Sequence, residues 1–281
     1  MRNMQVLLWI LVSVAVGYIF ICLLMYIFQS GMMYYPVKDI YQTPTALGLE
    51  FEEVAFESQN GSEITGWYVP ANAPKGTVLF SHGNAGNISG RLETLRILNS
   101  LNLNVLIYDY QGYGNSKGSS SEETTYQDAM AAWRFLNVNK QIPPSEIILM
   151  GRSLGGAISA WLATKTEPAA LILESTFTSA KDLAAEIYPI FPVRLLMKFE
   201  YPTAEYVEKI SIPILITHST EDQLVPYHHG RELYEIASQP KSFFKMSGNH
   251  GNSHIVTGKE YVRALKDFVN LKVLTKLNQK K

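Results

Sequence analysis

Cysteine is nearly missing from this 281-residue sequence: Cys22 is the only one. A single thiol excludes an intramolecular disulfide framework and any thiolate-rich zinc site. An excess of one charge is missing too. Twenty-four Lys and Arg stand against 25 Asp and Glu, a net charge of −1. No whole-chain attraction to nucleic acid follows, and none is expected as a partner. There is no internal repeat and no low-complexity stretch. Only 17% of residues are charged and 47% are hydrophobic, which suits a sizeable core and excludes disorder on composition.

What is present begins with a long apolar run. The 23 residues 6–28 carry no charge. As a helix rising roughly 1.5 Å per residue they reach about 35 Å, enough for a hydrocarbon core of about 30 Å. A cleaved signal peptide has a shorter apolar core and a small-residue cleavage site, and a buried core helix is the bland alternative. Length and lack of charge favour a single-pass membrane anchor, with Tyr26, Tyr34 and Tyr35 suited to an interfacial belt. Arg2 and the terminal amine precede the run, and Lys38 and Asp39 follow it. That bias places the N-terminus in the cytoplasm and the bulk of the chain on the non-cytoplasmic side. Cys22 lies within the anchor and reads as a small apolar side chain. Residues 29–50 read as a linker.

Beyond it the chain alternates strand and helix patterns. Residues 51–56 and 63–69 flank Gln59-Asn60-Gly61-Ser62 as a hairpin. Short apolar runs at 77–81, 104–108, 146–150, 170–174, 213–217 and 242–246 read as buried strands. Helical patterns fall near 91–101, 122–137, 154–166, 228–238 and 259–271. This order predicts an α/β domain over 51–271: a mostly parallel sheet, helices on both faces, and an antiparallel edge from the hairpin. A basic tail, 272–281, carries four lysines and reads as a solvated helix end.

The strongest chemical signal is Gly151-Arg152-Ser153-Leu154-Gly155, between a strand pattern and a helix pattern. A serine forced into a tight turn there needs small neighbours two residues either side, and Gly151 and Gly155 supply them. Its oxygen would stand at the sheet's C-terminal edge and at a helix N-terminus, where a developing anion is favoured.

A serine hydroxyl needs a base, and the base needs an orienting acid. Under the chain order Ser, acid, His, the base falls in Gly248-Asn249-His250-Gly251-Asn252-Ser253-His254. His250 is preferred, flanked by glycines, and His254 competes. His82 precedes the serine, His218 ends a strand before the acid, and His228 and His229 read as surface or capping-region residues. Asp222, just past the strand at 213–217, is the preferred acid; Glu221 and Glu174 are the alternatives. Asp109 reads as a structural carboxylate holding the loop 111–118. For an oxyanion hole, one donor is expected from the Leu154 N–H and the second from the Asn84 N–H in Ser81-His82-Gly83-Asn84-Ala85-Gly86-Asn87. That loop lacks P-loop and GxGxxG spacing, so a phosphate cradle is discounted.

From about Phe51 to Leu271 these pieces together resemble the α/β-hydrolase superfamily: SHGNAGN (81–87), YDYQGYGNSKG (108–118), GRSLGGA (151–157), PILITHSTEDQLVP (213–226) and GNHGNSH (248–254). More narrowly the chain is similar to serine hydrolases with one N-terminal membrane helix and a small cap. The resemblance implies an α/β-hydrolase fold, a Ser153–Asp222–His250 triad, a backbone oxyanion hole and an acyl-enzyme, with no metal or organic cofactor. Two departures stand out: Ser219 replaces a common glycine in the acid motif, and the base loop reads HGN where relatives often show HND.

Substrate is less legible. The apolar stretch 187–197 reads either as a cap over an acyl pocket or as ordinary core packing. A membrane location favours a small acyl ester, thioester or lipid-like substrate. A peptidase of the same fold and a catalytically silent, membrane-tethered interaction module are the competing expectations.

Overall fold

A computed structural model describes the chain from Met1 to Gln279, with side chains described through Asn270. The lysine side chains of the basic tail 272–281 therefore lie outside the described residues.

The first helix, α1 (Arg2–Met33), is 32 residues long. It extends five residues past the apolar run. It is long and apolar enough to cross a membrane, and Cys22 is its one buried side chain. The strands are β1 (Tyr35–Pro36), β2 (Glu52–Glu57), β3 (Glu63–Val69), β4 (Thr77–Ser81), β5 (Ala85–Gly86), β6 (Asn104–Tyr108), β7 (Ile147–Arg152), β8 (Ala170–Glu174), β9 (Ile214–Ser219) and β10 (Lys241–Met246). The further helices are α2 (Leu92–Ser100), α3 (Glu122–Arg134), α4 (Leu154–Ala163), α5 (Ala180–Ile187), α6 (Val193–Leu196), α7 (Thr203–Glu208), α8 (Tyr227–Ile236), α9 (Ser253–Thr257) and α10 (Lys259–Gln279).

Eight strands form one sheet in the order β10-β9-β8-β7-β4-β6-β3-β2. From β10 to β6 every pair is parallel; β3 and β2 add the antiparallel edge. The central strands β4, β7 and β8 are buried along their whole length. Both faces must then be covered, which is why their sequences run apolar without alternation. Two clusters supply the cover. One includes Leu79, Leu149, Leu171, Leu173, Ala157 and Ile158. The other includes Val78, Phe80, Leu95, Ile148, Met150 and Leu265. Successive residues of β7 fall in opposite clusters, the two-residue period of a strand.

Two stretches differ from the sequence expectation. Residues 35–50, expected as a linker, are docked: β1 pairs in parallel with β5. The Asn87 side chain donates to the carbonyls of Val37 (3.0 Å) and Asp39 (2.8 Å). The stretch between β8 and β9, where a small cap is one expectation for 187–197, holds three short helices, α5 to α7, outside the helical patterns read from the sequence. Pro189, Pro192 and Pro202 interrupt it, so no helical period runs long enough to read. Ile187, Ile190 and Leu195 in it are solvent-exposed, so the reading of 187–197 as core packing does not hold for its tip.

Candidate active site

Strand β7 ends at Arg152 and helix α4 begins at Leu154, leaving Ser153 alone in the turn. Its backbone sits at φ 54°, ψ −120°. A non-glycine residue rarely holds a positive φ, so surrounding contacts must enforce it. The glycines allow the enforcement. A Cβ on Gly151 would strike the Gly155 carbonyl, and one on Gly155 would strike the Ser81 carbonyl. Ser153 N–H donates to the Glu174 carbonyl (2.9 Å), and Thr176 Oγ1 donates to the Ser153 carbonyl (2.7 Å).

Three of the anticipated side chains meet here. His250 Nε2 lies 3.0 Å from Ser153 Oγ, and His250 Nδ1 lies 2.7 Å from Asp222 Oδ2. A carboxylate facing Nδ1 fixes the proton there, which leaves Nε2 as the acceptor for the serine hydroxyl. Asp222 is held in turn. Its Oδ1 accepts from the N–H groups of Leu224 (3.0 Å) and Val225 (2.9 Å). Burial pushes the Asp222 carboxyl up, but the neighbouring His218 and His250 and the Val225 N–H outweigh it and hold it well below the usual carboxylate range. It therefore stays ionised, and an ionised acid is what an imidazolium needs beside it.

The competitors go elsewhere. His254 is buried at the start of α9 beside Tyr261, and its Nδ1 has no hydrogen-bond partner among the described residues. Burial, then the nearby Arg152 cation, push its pKa down to about 4. Glu174 is fully buried and pairs with Arg152, while the Tyr261 hydroxyl donates to its other oxygen. Glu221 accepts the Gly248 N–H at 3.3 Å. His228 is exposed as expected, but His229 is buried at 1% exposure. Its Nδ1 accepts from Thr178, N–H at 3.2 Å and hydroxyl at 2.9 Å, because α8 starts against the loop after β8. Glu186, His228 and His229 bring three potential ligand atoms within 4.8 Å of one another. Glu186 also serves as an ordinary acceptor for His228 at 3.1 Å.

Asp109 corrects a detail. Its carboxylate accepts the Ile88 N–H (3.0 Å) and sits 3.4 Å from His82 Nε2. The loop 111–118 is held instead by the Asp109 carbonyl, which accepts from Ser116 Oγ (2.7 Å), and by Asp128, which accepts from Gln111 N–H (2.8 Å).

The expected oxyanion donors flank the serine. Leu154 opens α4, so its N–H has no acceptor within the helix. Asn84 lines the same cavity as Ser153, and a Cβ on the preceding Gly83 would lie 3.5 Å from Ser153 Cβ. The Asn84 loop is tied down from two sides: its carbonyl accepts from Tyr113 (2.6 Å), and its side chain donates to the Met33 carbonyl at the end of α1 (2.7 Å).

Sequence reasoning treated Ser219 only as a departure from pattern. Its hydroxyl donates to the Gly248 carbonyl and accepts the Glu221 N–H (3.1 Å). It thus pins the loop carrying Asp222 to the loop carrying His250, a bond that a glycine could not make.

Over Ser153 lies a cavity of about 450 Å³. Leu183, Ile187, Val193 and Leu196 of α5 and α6 form one wall, and α1 forms another. Among the described residues lining it, none is charged.

Comparison with known proteins agrees with this architecture. The family described as "Serine aminopeptidase, S33" matches residues 72–204. A protein of Arabidopsis thaliana, alpha/beta hydrolase domain-containing protein WAV2, is 33% identical over 83% of this chain and 85% of its own. An uncharacterized protein of Mycobacterium tuberculosis is 32% identical over 86% of this chain and 87% of its own. Among solved structures, a Pyrococcus furiosus esterase superposes with a TM-score of 0.72 at 19% identity, covering 84% of this chain and 98% of that one. An alpha-beta hydrolase of Vibrio vulnificus gives 0.67 at 23% identity, covering 80% and 82%.

Proposed function

The chain belongs to the α/β-hydrolase superfamily and is a hydrolase of that fold, and within it we propose a membrane-anchored serine hydrolase that cleaves carboxylic esters or thioesters. The observation that carries this reading is the Ser153–His250–Asp222 relay at 3.0 and 2.7 Å beneath an uncharged, apolar cavity.

In the proposed reaction His250 Nε2 takes the Ser153 proton as Oγ attacks the acyl carbonyl. Asp222 holds the imidazole and stabilises its charged form. The Leu154 and Asn84 N–H groups receive the oxyanion. The tetrahedral adduct collapses to an acyl-enzyme, and the leaving alcohol or thiol departs with the proton from His250. Water then attacks the acyl carbon and gives a proton to His250, and collapse releases the acid as Ser153 Oγ takes that proton back.

The uncharged cavity favours an acyl ester over a peptide with a free amino terminus, because a substrate ammonium would lie there without a counter-ion. The relay itself argues against a silent interaction module. Helix α1 serves as the anchor, and Arg2 before it favours a non-cytoplasmic catalytic domain.

The test is labelling of membranes containing the full chain with a fluorophosphonate probe. Labelling is expected for wild type and His254→Ala and is lost in Ser153→Ala and His250→Ala. A folded wild type that takes no label overturns the mechanism.

A further inference from the structure

Helix α1 contributes more than attachment. Met25, Tyr26, Gln29, Met32 and Met33 line the cavity above Ser153. Tyr18, Cys22, Met25 and Gln29 follow at intervals of four, three and four, one face of a helix. That face is seated on the cap formed by α5 and α6. The Tyr18 hydroxyl donates to the Ile190 carbonyl (2.8 Å), and the Tyr18 ring stacks on Phe191 at 5.7 Å. Eleven residues later the Gln29 side chain accepts the Lys198 N–H (2.7 Å) and donates to the Leu196 carbonyl (3.3 Å). The Lys198 ammonium lies over the Tyr26 ring, 4.0 Å from its centroid.

These contacts set the depth of the cap. From Arg2 to Tyr18 the helix rises roughly 24 Å, at about 1.5 Å per residue, which is less than a hydrocarbon core of about 30 Å. A membrane-spanning α1 must therefore keep Tyr18 inside the leaflet, and the cap docked on it goes in as well. The exposed surface of the cap fits that setting. Ile190 is 73% exposed, Leu195 84% and Ile187 46%, apolar residues that nothing among the described residues covers, while the neighbouring Arg194 turns its guanidinium to Asp182. The Ile190 carbonyl, which water would not reach there, already has its donor in Tyr18. Gln29 is the first residue beyond the apolar run, and Lys198 is held against it and Tyr26, where headgroups and water begin.

We propose that the cap tip is immersed in the leaflet beside α1, and that the cavity between them takes a single long acyl chain laterally from the bilayer. The substrate class is then a membrane-dissolved long-chain acyl ester, with its ester group delivered to Ser153 at the interface. The cavity volume of about 450 Å³ lies in the lower half of the roughly 300–1,000 Å³ range of small-molecule sites, which suits one chain and not two. This inference rests on the serine-hydrolase reading for its chemistry, but not for the depth of the cap.

The test uses the full chain in phosphatidylcholine vesicles. For depth, Leu195→Cys in a Cys22→Ala background carries an environment-sensitive fluorophore, with nitroxide-bearing lipids as quenchers. Strong quenching by the lipids and none by aqueous iodide is expected; the reverse overturns the proposal. For substrate, hydrolysis of a vesicle-bound palmitoyl ester of umbelliferone is compared with that of its water-soluble butyryl ester. Ile190→Asp combined with Leu195→Asp, neither of which lines the cavity, is expected to lower the palmitoyl rate at least tenfold and to leave the butyryl rate unchanged. Met25→Trp, which narrows the wall that α1 supplies, is expected to lower the palmitoyl-to-butyryl ratio of kcat/KM at least tenfold. Equal ratios in wild type and these variants overturn lateral entry. A wild type inactive on both esters instead overturns the serine-hydrolase reading, while the quenching still decides the immersion.

Discussion

The two sides of the cavity are built by different physics. Below Ser153 the sheet edge is closed by buried polar groups that satisfy one another: Arg152 with Glu174, Glu174 with Tyr261, and Arg152 with Thr94 at 3.0 Å. Above it the cap is held by exposed ion pairs, Lys181–Glu200 and Arg194–Asp182, and by its seat on α1. Buried pairs cannot be broken cheaply, because each partner left alone is a charge without water. Exposed pairs exchange one solvated state for another. The lower side is therefore fixed, and the upper side is free to yield to a substrate.

The largest expected effect falls at the relay. His250→Ala should lower kcat by about 10⁶-fold. His254→Ala should leave kcat within a few-fold while lowering stability, since it empties a buried position. Steady-state hydrolysis of a soluble ester, with thermal melts alongside, separates the two histidines. Next comes the floor. Glu174→Ala strands the Arg152 guanidinium in a site 5% exposed and should cost roughly 3–5 kcal/mol in denaturant unfolding.

The third effect depends on pH. Burial, then the Arg152 cation, push the pKa of His254 from its ordinary 6.5 down to about 4. Between those values the unfolded chain binds the proton and the folded chain does not, so stability falls as pH drops from about 6.5 to about 4. The shift corresponds to about 3 kcal/mol. Because other groups titrate in the same window, the measurement is the difference in slope between wild type and His254→Asn. Equal slopes would mean that His254 is hydrated. The smallest effect is on the cap: Lys181→Ala and Arg194→Ala should each change stability by less than about 1 kcal/mol. A larger loss would mean that the cap belongs to the rigid floor.

The sequence made some of this legible and concealed the rest for physical reasons. The turn around Ser153 is a local steric problem, so Gly151 and Gly155 announce it within five residues. The sheet was visible because strands buried on both faces read as uninterrupted apolar runs. The two candidate histidines were hard to separate because His250 and His254 lie four residues apart, and only the start of α9 at Ser253 turns the second one inward. The burial of His229 depends on Thr178, 51 positions away, and no local pattern records it. The docking of residues 35–50 rests on a two-residue strand pair and on the Asn87 side chain some 50 positions away, neither of which alternation can register. The role of Ser219 was hidden in the same way, since its partner Gly248 stands 29 positions later.

One contact bears on where the enzyme begins. The carbonyl of Met33, the last residue of α1, accepts the side chain of Asn84, and the next two residues lead into the β1–β5 pair. Helix α1 and the α/β domain are therefore not modules that an engineer could exchange at a neutral seam. An unrelated apolar helix of equal length would strip away one wall of the cavity. It would also unfasten the Asn84 loop, so the sequence of α1 is constrained by the candidate active site as well as by its own apolar length.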